Sequence, residues 1–99
     1  MGWTISHSTA QPSYTTVSNL AAQLAHVLRG QEWRSIAYLF NRPTGDPFSV
    51  PPTEAADVAR ILRRAAGHGL MPADWARLTR TLADAAARAA GAGQPWAWS

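Results

Sequence analysis

Gly91-Ala92-Gly93-Gln94-Pro95-Trp96-Ala97-Trp98 is the stretch on which the fold turns. Two glycines and a proline release the chain from an alanine-rich run, and Trp-Ala-Trp follows. Side chains two apart in an extended segment share a face, so both tryptophans point the same way from a short terminal strand. Such a strand needs a partner, and the other end of the chain supplies one. Trp3, Ile5 and His7 alternate with Thr4, Ser6 and Ser8, the period of a short half-buried strand. Phe48-Ser49-Val50, stopped by Pro51-Pro52, is a further candidate strand.

Helical patterns fill the space between. Val17, Leu20, Ala21, Leu24, Val27 and Leu28 recur at helical spacing; Ser13, Thr15 or Thr16 can cap the start, and Gly30 suits a left-handed stop. Residues 32–41 fit a helical face (Trp33, Ile36, Ala37, Phe40) and also a strand (Ile36, Tyr38, Phe40). The length of that stretch, closed by Arg42-Pro43, favours a short helix, and residues 43–47 carry turn chemistry. Thr53 can cap a third helix with Glu54 and Asp57 in its first turn and Val58, Ile61, Leu62 and Ala65 as its stripe. Gly67-His68-Gly69 ends it. Pro72 opens a fourth as a first-turn proline, and Trp75, Leu78, Leu82, Ala85 and Ala89 share one face down to Gly91. Asp84 and Arg88 stand four apart in the favourable order, which predicts an ion pair. The expected architecture is one α+β domain over residues 1–99. Two or three short strands join the N- and C-termini and pack against three or four helices.

Composition narrows function by exclusion. The chain has 99 residues, nine arginines, no lysine and no cysteine, with a formal charge of +3. Without cysteine there is no disulfide framework, thiolate zinc site or cysteine nucleophile. No apolar run approaches the roughly 18 residues of a membrane span, and no basic-then-apolar start marks a signal peptide, so a cytoplasmic, membrane-free protein is expected. The charge splits evenly: three Arg against two acids in residues 1–50, six against four in residues 51–99. Neither half is a basic tail. Arginine-only usage beside twenty alanines accords with GC-rich coding more than with selection for a nucleic-acid surface.

Gly2-Trp3-Thr4-Ile5-Ser6, the run Phe48-Ser49-Val50-Pro51-Pro52-Thr53-Glu54-Ala55-Ala56-Asp57, and Gln94-Pro95-Trp96-Ala97-Trp98 occur in a suggestive order. The chain resembles a loose group of small uncharacterised proteins of actinomycete-type bacteria and their mobile elements. The resemblance covers residues 1–7 and about 46–99. It implies a strand, a Pro/Ser cap, two helices and a terminal Trp strand, and it carries no catalytic residue across.

The residues that could carry chemistry point away from an enzyme. No two of His7, His26 and His68 stand three or four apart, and no carboxylate is in ligand register with them, so neither metal nor cofactor is expected. Glu54, Asp57 and Asp74 sit in opening helical turns, where a dipole role suffices; Asp84 has no partner carboxylate in an unlike environment. Serines and threonines cluster at caps and loops with no nucleophile elbow. Arg60, Arg63 and Arg64 fall within about 100° of one helix face. The two helices around residues 67–71 superficially resemble a helix-turn-helix that would offer Arg77, Arg80 and Arg88 to a nucleic acid, but Asp74 and Asp84 interrupt those arginines and Asp57 sits beside the first cluster.

Tryptophan and arginine dominate interface hot spots. Trp3, Trp96 and Trp98 exceed what a small sheet needs, and could form an exposed aromatic edge or fill the core of a small domain. The reading is a non-enzymatic interaction or regulatory protein that binds a protein partner, or itself as a homo-oligomer. Its expected partner-binding residues are Trp33, Arg34, Arg60, Arg63, Arg64, Trp96 and Trp98. The alternative is an arginine-mediated nucleic-acid-binding regulator, and a small hydrolase or transferase stands third.

Overall fold

A computed structural model describes residues 2–40 and 46–99. Their elements run α1 (Tyr14–Val27), α2 (Gly30–Phe40), β1 (Phe48–Val50), α3 (Pro52–Ala66), α4 (Ala73–Gly91) and β2 (Trp96–Trp98). The Arg42-Pro43 stop and most of the 43–47 turn lie outside the described residues. Four helices and a small sheet make an α+β fold, as the sequence led one to expect.

The sheet closes the chain on itself. β1 and β2 are antiparallel, with Phe48 opposite Trp98 and Val50 opposite Trp96. On the other edge of β2 the N-terminal segment pairs by an isolated bridge between Ile5 and Trp98. Thr4 and Ser99 exchange backbone hydrogen bonds of 2.7 and 2.8 Å, and Ser6 donates to the Ala97 carbonyl at 2.8 Å. The Ala97 amide turns to the Ser6 hydroxyl at 2.9 Å, where the backbone leaves the ladder through His7 at a positive φ of 62°. β2 is therefore flanked on both sides, which is why its inward residues are so thoroughly buried. The start of the segment is pinned too: Trp3 donates to the Pro12 carbonyl at 2.9 Å. A Cβ at Gly2 would stand 2.9 Å from that same oxygen, so only glycine fits this approach.

The helices differ from expectation mainly at their ends. Ser13 caps α1, its hydroxyl accepting from the Thr16 amide at 3.0 Å. Gly30 is not the stop of that helix. α1 ends at Val27 with Leu28 extended, and Gly30 is the first residue of α2. Residues 30–40 are helical because Ile36, Leu39 and Phe40 bury one side against the core. Thr53 does not cap α3: Pro51 holds the cap position without a side-chain bond and Pro52 opens the helix. Pro there is pre-set to the helical φ and lacks an amide the first turn would leave unpaired. Pro72 likewise holds the cap position of α4, and Gly67 ends α3 with an ordinary φ of −85°.

α3 and α4 form the most extensive helix pair. Arg63 meets Asp84, while Ala56 and Ala59 share a groove with Ala87 and Ala90, so the two helices run antiparallel. Buried alanines on both (Ala55, Ala59, Ala65, Ala83, Ala86, Ala89) let the backbones approach closely. The pair is an antiparallel αα-hairpin. The helix C-terminus of α4 follows a full Schellman pattern. Gly93 has φ +65°, its amide donates to Ala90, and Gln94 donates back to Ala89.

An arginine-lined groove between two helices

The five tryptophans mostly face inward. Trp96 and Trp98 are fully buried and Trp3 nearly so. Of the two alternatives for these rings, the structure takes the core: Trp96 and Trp98, expected among the partner-binding residues, are buried because β2 is flanked on both edges and its inner face lies against the helices. Trp98 is the hub. Its ring lies 5.5 Å from Trp3, 5.3 Å from Trp96 and 6.0 Å from Phe40, all edge-on, and 5.4 Å from the tilted ring of Phe48. Edge-to-face contacts of this kind add to plain area burial. Trp96 donates its indole N–H to the Ser6 carbonyl at 3.1 Å. The indole N–H of Trp98 has no hydrogen-bond partner among the described residues. Half-buried Trp33 stacks on Phe40 at 6.4 Å and so extends the cluster. It is not part of the lining of the groove between α2 and α3.

The arginines form the surface feature. α2 and α3 run antiparallel, tied at one end by the Arg64–Glu32 ion pair and at the other by Tyr38, whose hydroxyl donates to Glu54 at 3.1 Å. Near the Arg64 end the helices part into an open groove of about 420 Å³, lined by Arg29, Glu32, Ser35, Arg60, Ile61 and Arg64 among others. Three guanidinium groups face one carboxylate, and that carboxylate already holds Arg64. Arg29 and Arg60 are exposed and make no ion pair or side-chain hydrogen bond with the described residues. Their planar forks of donors suit carboxylate or phosphate oxygens. Ser35 donates its hydroxyl to the Glu32 backbone carbonyl at 2.7 Å, which ties it to its own helix.

At the Tyr38 end the same helices enclose a second opening of about 310 Å³, with Ser35 and Ile61 again in its wall and Glu54 and Asp57 as its charged members. The α2–α3 face is thus basic at one end and acidic at the other.

Of the expected partner-binding residues, the groove gathers Arg60 and Arg64. Arg63 turns instead to α4, where it meets Asp84 at 3.2 Å. Arg34 is exposed on α2. The expected Asp84–Arg88 pair does not form: Arg88 donates to the His7 carbonyl at 2.9 Å and anchors the N-terminal segment. Arg29 and Glu32 escaped the sequence reading because their role depends on where α2 begins. Had Gly30 been placed at a helix start, Arg29 would have stood out as the residue flanking it. Among the described residues no three His, Asp or Glu side chains gather as metal ligands do, and no helix is long and apolar enough to cross a membrane.

The fold defines a small α+β domain with an arginine-lined groove between α2 and α3. The chain belongs to the family described as Domain of unknown function (DUF7739), whose model matches residues 4–99. No curated protein and no solved structure matches it significantly.

Proposed function

We propose that this is a non-catalytic interaction or regulatory protein of the cytoplasm that binds a protein partner through its α2–α3 face. The observation that carries the reading is the convergence of Arg29, Arg60 and Arg64 on one open groove with a single, already paired carboxylate. Fixed guanidinium groups recognise acidic side chains directionally, and arginine is among the residues that dominate binding hot spots. The tryptophans serve this surface indirectly, by fixing the sheet beneath the helices. Arg60 and Arg64 are retained from the sequence reading as contact residues, and Arg29 joins them.

A nucleic-acid reading rests on Arg77 and Arg80, which are exposed three apart on α4. Asp74, exposed three residues before Arg77 on the same helix, favours a protein instead, because a polyanion on those arginines would meet it at close range. The test is affinity purification from the native cell with wild-type chain and with an Arg29→Glu/Arg60→Glu variant, followed by protein and nucleic-acid detection. One defined protein retained by the wild type and lost by the variant supports the reading. A bound nucleic acid whose affinity falls steeply with salt supports the alternative.

A further inference from the structure

We infer that the partner fitting the α2–α3 face is a second copy of this chain, its own α2–α3 face turned end for end on the first. This deepens the reading above and rests on it. Glu54, Asp57, Ile61 and Arg64 recur at three- and four-residue steps along one stripe of α3, with Arg60 beside them. The acidic pair and the basic pair on that stripe are separated by about 10 Å, from the rise of roughly 1.5 Å per residue. Ser35 and Ile61 belong to both the basic and the acidic opening and so mark the middle of the face.

A partner complementary to this face must present the opposite charge order at the same spacing. The same helix turned end for end does so by construction. A two-fold axis lying in the interface, across the helices at the level of Ser35, brings the Glu54–Asp57 end of each copy against the Arg60–Arg64 end of the other. The contact is isologous, the commonest symmetry of soluble oligomers. A parallel arrangement would set like charge on like, so the charge order also selects the orientation. Arg29 extends the basic end and half-exposed Tyr38 the acidic end.

Sedimentation equilibrium tests this from micromolar to millimolar protein. The expected result is a mass rising from the 10.7 kDa of one chain toward twice that value. It should fall back at about 1 M salt, where the screening length shrinks to about 3 Å. Glu54→Arg/Asp57→Arg and Arg60→Glu/Arg64→Glu variants, checked for native helix content by circular dichroism, each weaken self-association by roughly tenfold or more. Mixing the two restores the double mass, because one variant is then cationic along the whole stripe and the other anionic. Wild-type chain that stays monomeric at millimolar concentration, or folded variants that fail to pair on mixing, overturns the inference. A monomeric wild type that still retains a different protein through Arg29 and Arg60 leaves the wider binding reading standing; loss of both overturns both.

Discussion

Thr4 and Ser99 exchange a reciprocal pair of backbone hydrogen bonds, so the ends of the described chain form one rung of a ladder. The tryptophans beside that rung are both buried, but their indole N–H groups meet different fates. Trp96 donates to Ser6, and Trp98 lacks a partner among the described residues. Replacing either by phenylalanine removes a similar volume, and only at position 96 does it also break a hydrogen bond. Trp96→Phe is therefore expected to cost about 0.5–1.5 kcal/mol more than Trp98→Phe. Urea denaturation of the two variants checks this, and equal or reversed costs would contradict the hydrogen-bond assignment.

Gly91 and Gly93 stand two apart at the end of α4 and should respond in opposite senses to the same substitution. Gly93 has a left-handed φ of +65°, where a Cβ crowds its own backbone, so Gly93→Ala costs about 1–2 kcal/mol. Gly91 is helical, and a Cβ there meets nothing within 4 Å. Gly91→Ala should stabilise by a few tenths to about 1 kcal/mol through helix propensity. Thermal melts give the sign directly: Tm falls for the first and rises for the second.

The fold was readable where a pattern repeats and obscure where one contact decides. The Trp-Ala-Trp alternation announced a strand with both rings on one side, and the alanine-rich stripes announced α3 and α4. Whether those rings face core or solvent depends on what flanks β2, and neither the Thr4–Ser99 rung nor the Phe48–Trp98 register is written in local spacing. The site was legible in part for the same reason. Arg60 and Arg64 share a helix face visible in the sequence, whereas Arg29 joins them only because α2 runs antiparallel to α3 across the groove. Asp84 and Arg88 satisfy the local rule for an ion pair, yet tertiary neighbours Arg63 and His7 draw them apart.

That displacement is itself measurable. The side chains of Arg63 and Asp84 are more than half exposed, so screening by water keeps their pair worth less than about 1 kcal/mol. A double-mutant cycle on Arg63→Ala and Asp84→Ala should give a small coupling that fades as salt is added. The corresponding cycle on Asp84 and Arg88 should give none. A coupling confined to the second pair would restore the helical i,i+4 bridge.

The binding face depends on α3, which packs against α4 and is tied to α2 by the Arg64–Glu32 ion pair and the Tyr38–Glu54 hydrogen bond. Ala86 is fully buried in α4, so Ala86→Leu must force side chains off their rotamers or push the backbone aside, at a cost of about 1–3 kcal/mol. Any shift of α3 carries Arg60 and Arg64 with it and moves them relative to Arg29. Ala86→Leu is thus expected to lower stability and partner binding together. Arg60→Glu, at an exposed position without a partner among the described residues, should leave stability within about 0.5 kcal/mol of wild type and lower binding alone. Denaturant midpoints beside binding isotherms for the two variants separate these effects. If Arg60→Glu binds as wild type does while Ala86→Leu does not, contact through the arginines is excluded and the binding surface lies elsewhere on the helical hairpin.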